Sequence, residues 1–120
     1  MVYASESEVV GFLKRFKTQA SHSEIQFVRR KRCLDDIARL GLSRQDAEDI
    51  ILGLSVTEYA EGPEEDHDGT PGEIWVFGKE TQGQMVYIKL KSDGTNAKCL
   101  SFHPADHTMQ FPYARKRSPS

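Results

Sequence analysis

Residues 73–103, EIWVFGKETQGQMVYIKLKSDGTNAKCLSFH, decide the fold, because they read as three strands joined by two turns. Glu73 to Lys79, Met85 to Lys91 and Ala97 to His103 read as strands, along which successive side chains point to opposite faces of the sheet. Gln82-Gly83 and Ser92-Asp93-Gly94-Thr95-Asn96 supply the turn residues, and Pro104 ends the pattern. With a two-residue turn at Gln82-Gly83, Phe77 lies opposite Ile88 and Trp75 opposite Leu90. Centring the next turn on Gly94 puts Ile88 near Leu100 and Val86 near Phe102. One face is then Trp75, Phe77, Val86, Ile88, Leu90, Leu100 and Phe102, an apolar surface that needs cover. The other collects Val76, Gly78, Tyr87, Lys89, Lys91, Cys99, Ser101 and His103.

The cover is upstream. Ser5 with Glu8 three residues on makes a capping box, and Val9, Phe12, Leu13, Phe16 and Ala20 follow at helical spacing. Ser21-His22-Ser23 interrupts, and Glu24 to Arg29 alternates as a short strand. A second helix is expected from Lys31 through Leu34, Ile37, Ala38 and Leu40 to a stop at Gly41. Ser43 and Asp46 open a third, with Ala47, Ile50, Ile51 and Leu54 as its buried stripe. The expected class is α+β: a three-strand antiparallel meander, extendable by the N-terminal strand, with amphipathic helices packed on one face. Glu61 to Gly72 holds Gly62, Pro63, Gly69, Pro71 and Gly72 among carboxylates. It reads as a long loop of the kind that often carries function.

A chain of 120 residues, 38% apolar and 28% charged, suits one domain, expected over 1–113 with a basic, disordered tail at 114–120. No apolar run approaches the ~20 residues of a membrane span, and Met1 to Glu6 lacks a secretion signal, so a cytoplasmic protein with no membrane partner is expected. A disulfide between Cys33 and Cys99 stays open, with a reduced pair the expectation in that compartment. The net charge of -2 excludes a global nucleic-acid footprint, but the charge is segregated. Arg29-Arg30-Lys31-Arg32 and Arg115-Lys116-Arg117 are basic, whereas Glu58 to Asp68 holds six carboxylates. Screening confines such fields to ~10 Å, so local anion binding remains open.

The polar face mixes cations, a phenol and an imidazole. Lysines can stabilise charge developing on phosphate oxygens, and His or Tyr can move protons. An aromatic beside cations also suits stacking on single-stranded RNA. The plainer reading is a solvated sheet face, where Lys and Tyr are common. His103 and His107 are four apart, but Pro104 opposes a helix that would hold both, and no metal or other cofactor is expected. No serine sits in a strained Gly-flanked turn, and His22 and His67 have no evident partners.

The series Leu40-Gly41-Leu42, Ile50-Ile51-Leu52-Gly53-Leu54-Ser55, Trp75, Val86-Tyr87-Ile88-Lys89 and Leu100-Ser101-Phe102 resembles the MqsR family of messenger-RNA interferase toxins, in the RelE-like group. The match in order and approximate spacing covers about half the chain. The resemblance implies a RelE-like fold and a metal-independent endoribonuclease that stops translation, with or without the ribosome, until a cognate antitoxin binds. It makes Tyr87 the catalytic tyrosine and Lys89 the lysine two residues after it. At other family positions the residue differs: Val76 replaces a glutamine, Glu61 a lysine and His103 a lysine. Three outcomes stay open: an acid–base pair of Glu61 and His103, a different RNA target, or binding to RNA or protein without cleavage. An imidazole exchanges protons near neutrality more readily than an ammonium, so His103 is compatible with chemistry. Lys79, Lys91, Arg30, Lys31 and Trp75 are the expected RNA contacts, with messenger RNA and the antitoxin as partners. His107 and Tyr113 are candidates to fold back over the sheet.

Overall fold

A computed structural model describes residues 3–29, 32–67 and 69–114. Helix α1, Glu6–His22, starts on the expected capping box: Glu8 N donates to Ser5 Oγ (3.1 Å) and Ser5 N to Glu8 Oε1 (3.0 Å). Its Val9, Phe12, Leu13 and Phe16 are buried. The short strand β1, Gln26–Phe27, leads to α2, Cys33–Arg39, which ends at Gly41 in the left-handed region (φ 78°). Leu42 N reaches back to Ile37 O (3.2 Å) and closes the cap. Helix α3, Arg44–Leu52, repeats the capping box with Ser43 and Asp46.

Strands β2 (Tyr59–Glu65), β3 (Glu73–Thr81), β4 (Gln84–Ser92) and β5 (Ala97–Pro104) complete an open sheet in the order β1-β5-β4-β3-β2. All neighbours are antiparallel except β1, which runs parallel to β5 and extends the meander as expected. Buried residues of all three helices join Trp75, Phe77, Val86, Ile88, Leu90, Ala97, Cys99 and Phe102 in one core on one sheet face. Trp75 lies under α1, its ring stacked on Phe12 with centroids 4.8 Å apart. Cys33 and Cys99 are buried and unbridged.

Two expectations need correction. The segment from Glu61 is not all loop: β2 runs to Glu65 and pairs with β3. Its Gly62 and Pro63 are tolerated because β2 is an edge strand whose register shifts between Tyr59 and Glu61 and again between Glu61 and Glu64. Only glycine fits at 62, where φ is 114° and a Cβ would lie 2.8 Å from Ile74 O.

The second correction concerns β5. The β3–β4 register is as expected, with Phe77 opposite Ile88 and Trp75 opposite Leu90. In β5, however, Ser101 pairs with Lys89 and Cys99 with Leu90, so Leu100 is an unmatched bulge residue. Ile88 therefore faces Phe102 rather than Leu100, and Val86 faces Pro104. The bulge reverses the alternation. Cys99 enters the core, and Leu100 turns to the other face beside Lys98.

Candidate functional site

Cross-strand pairing lays out the face away from the helices in rows. Gly78, Tyr87 and His103 form one row, Val76, Lys89 and Ser101 the next, and Ile74, Lys91 and Lys98 the third. On β2, Glu61 adjoins Val76 and Glu64 adjoins Ile74.

Tyr87 and His103 stack nearly parallel (14°) with centroids 5.1 Å apart. His103 Nδ1 lies 2.8 Å from Pro104 O. A carbonyl only accepts, so Nδ1 carries the proton, and in the neutral ring Nε2 keeps its lone pair. Burial raises the Tyr87 phenol above its ordinary pKa, and the carboxylates of Glu61 and then Glu64 push it the same way. Tyr87 is thus held as a neutral hydroxyl, a proton donor rather than a base. Glu61 makes no hydrogen bond or ion pair among the described residues. It lines the cavity that also touches Tyr87, but it lies on β2, three strand spacings from β5. At ~4.8 Å per spacing that is roughly 14 Å between backbones. Glu61 and His103 flank Tyr87 from opposite sides and are not a contacting acid–base pair.

The lysine rows form a groove of about 480 Å³ lined by Lys89, Lys91, Lys98, Leu100, Glu64 and Asp66 among others. Each lysine meets a carboxylate: Lys89 Nζ is 4.0 Å from Glu64, Lys91 Nζ 2.8 Å from Asp66, and Lys98 Nζ 3.4 Å from Asp93. Lys91 is 4% exposed and also donates to Thr70, so it pins the β2–β3 connection and is not an open RNA contact. Lys79 projects to the helix-side face, where its Nζ meets Glu58 at 2.6 Å, away from Tyr87. Trp75, 2% exposed in the core, presents no surface to RNA. Arg30 and Lys31 lie outside the described residues. Lys98 was missed because its place on this face depends on the bulge. The adjacent apolar pair Cys99-Leu100, which breaks the alternation, was the available signal.

A strap over residues 105–114 was also only partly legible. Ala105 N donates to Met85 O (2.9 Å), continuing β5 beside β4. Met109 and Phe111 then cross Gly78 so closely that a Cβ there would lie 2.6 Å from Phe111 Cζ and 2.9 Å from Met109 Sδ. Tyr113 stacks on Tyr59 (5.9 Å) and donates its hydroxyl to Ala4 O. Between strap and sheet is a cavity of about 200 Å³ lined by Tyr3, Ala60, Glu61, Tyr87 and His107 to Gln110. His107 and Tyr113 do fold back, His107 onto the cavity wall and Tyr113 around the β2 edge.

Among the described residues no group of three or more His, Cys, Asp or Glu side chains forms a metal-ligand cluster. No helix there is long and apolar enough to cross a membrane. Neither a curated protein nor a solved structure matches the chain. The sequence model of one family does, over residues 11–104, which include every strand of the sheet and end where the strap begins. That span is most of the chain, and the chain belongs to the family described as motility quorum-sensing regulator, toxin of MqsA, which makes it the toxin side of a toxin–antitoxin pair with an antitoxin as its partner.

Proposed function

We propose that this toxin is a metal-independent endoribonuclease that cuts messenger RNA in the cytoplasm from the Tyr87–His103 face. The observation that carries the reading is the stacked pair itself: a phenol held neutral beside an imidazole whose Nε2 is unengaged among the described residues. His103 Nε2 takes the proton of the RNA 2′-hydroxyl, and the 2′-oxygen attacks the adjacent phosphorus. Lys89, one row away, stabilises charge on the non-bridging oxygens. Tyr87 donates its proton to the departing 5′-oxygen as that P–O bond breaks. The products are a 2′,3′-cyclic phosphate and a 5′-hydroxyl. The leaving oxygen gains the proton that Tyr87 loses, and the proton held by His103 later returns the phenol to its neutral form.

The test is incubation of the purified protein with a long single-stranded RNA in EDTA. Discrete cuts bearing cyclic phosphate ends are expected, reduced ~10²–10⁴-fold in Tyr87→Phe and in His103→Ala, the usual contribution of one general acid or base. Wild-type rates in both variants would remove the site. The lysine–carboxylate pairs favour a second reading, a module that binds RNA or protein without cutting, because they leave little free positive charge for phosphate. RNA binding without cuts, with ribosomes present or absent, would select it.

A further inference from the structure

We propose that the cavity between the strap and the sheet is a binding site for one unstacked nucleobase, and that it selects bases carrying an exocyclic amino group. This rests on the endoribonuclease reading for its substrate class and goes beyond it in assigning a specificity site. The cavity is about 200 Å³, smaller than the ~300–1,000 Å³ of sites for drug-sized ligands, so it holds one planar ring system rather than a whole nucleotide. Tyr3 and Tyr87 supply aromatic surface for stacking, the mode by which splayed RNA bases are held. Glu61 supplies a carboxylate with no donor among the described residues, and a carboxylate can only accept. Guanine, adenine and cytosine offer amino hydrogens to it. Uracil offers two carbonyl oxygens and a single ring N–H, and its carbonyls repel the charge.

The wall is built rather than draped. Its anchors are the Ala105–Met85 hydrogen bond, the seating of Met109 and Phe111 on Gly78, and the Tyr113 contacts with Tyr59 and Ala4. Because Tyr87 lines the cavity and also stacks on His103, a base held there places its own sugar–phosphate beside the reacting groups. The strap lies beyond the residues that the family model matches, so the wall at 107–110 is added to the matched core, which itself supplies Ala60, Glu61 and Tyr87.

Two readouts test the proposal on the full chain. Backbone NMR titration with each of the four nucleoside 3′-monophosphates should shift Thr108, Met109 and Gln110. Uridine monophosphate should bind at least tenfold more weakly than the tightest of the four, and Glu61→Gln, which replaces one acceptor with a donor, should shrink that gap. Sequencing of RNA cut ends should show uracil depleted at one position beside the cut, with the depletion relaxed in Gln110→Ala and in Gly78→Ala, where the strap is displaced. Mononucleotide shifts confined to the lysine groove, or equal affinity for all four, would overturn the base site even if the wild type cuts RNA. Selective binding at the strap with no cut RNA would uphold the base site and remove the catalytic reading.

Discussion

Tyr87 faces two carboxylates and a buried wall, and each acts against ionisation. Its neutral form therefore persists to higher pH than that of an ordinary phenol near ~10. If it is the proton donor, the alkaline limb of the pH–rate profile lies above that value. Glu64→Gln, which removes one of the opposing charges, should move the limb down, as single-turnover cleavage would read. Asp93 shows the opposite sign. Its carboxylate accepts from Asn96 N (2.7 Å) and from Thr95 N and Oγ (both 3.0 Å), which hold its pKa well below the usual range, the Asn96 bond foremost. A depressed folded pKa contributes stability that is fully present above the unfolded value of ~3.9 and is lost progressively as pH falls from there through the lower folded pKa. Melting temperatures of Asp93→Ala and wild type should thus differ by a constant, largest amount above about pH 3.9 and draw together steadily as the pH is lowered below it. Trp75, by contrast, belongs to stability. Trp75→Ala should cost about 3–5 kcal/mol in denaturant unfolding, the usual range for emptying a large aromatic site.

The helices and the inner strands were legible because their residues agree at every level. Ser5 with Glu8 and Ser43 with Asp46 announce the helix starts, and the two-residue turn at Gln82-Gly83 fixes the β3–β4 register. What escaped the sequence depended on neighbours. β2 carries Gly62 and Pro63, which forbid an inner strand but not an edge, and nothing local says which strand will be the edge. The Leu100 bulge inverts only half of β5, so Ser101 and His103 were assigned to the right face and Cys99 and Leu100 to the wrong ones. Tyr87, Lys89 and His103 share the sheet face on which the sequence placed them, whereas Lys79, Lys91 and Trp75 were assigned by residue type before their partners were known. The strap gives the sharpest prediction at this scale. Gly78→Ala places a methyl group against Phe111 and Met109, a small-to-large change that ordinarily costs ~1–3 kcal/mol. Faster amide exchange over 105–114, with exchange in α1 and β4 unchanged, would show that the strap alone has lifted.

Across the molecule, charge is placed to hold the groove near neutrality. Lys91 and Lys98 are committed to Asp66 and Asp93, and Lys89 at 4.0 Å from Glu64 is the loosest of the three. RNA affinity should then depend only weakly on salt, with a log–log slope of about -1 to -2, as expected for two or three phosphate contacts on a single strand. Glu64→Gln should steepen that slope and tighten binding, measured by fluorescence anisotropy across a salt series. A slope several times larger would mean that Glu64 and Asp66 swing away from the lysines when RNA arrives.

The hydrogen bond from Tyr113 to Ala4 joins positions 109 apart in the chain, and the cavity beside Tyr87 draws Tyr3 from one side and Gln110 from the other. A ribosome makes these residues in order, so Tyr3 is among the first of the described residues to be made, and the wall at 107–110 follows directly on the last strand, which ends at Pro104. The cavity is therefore among the last features of the described chain that can be completed, its first wall laid down with Tyr3 and its last with Gln110.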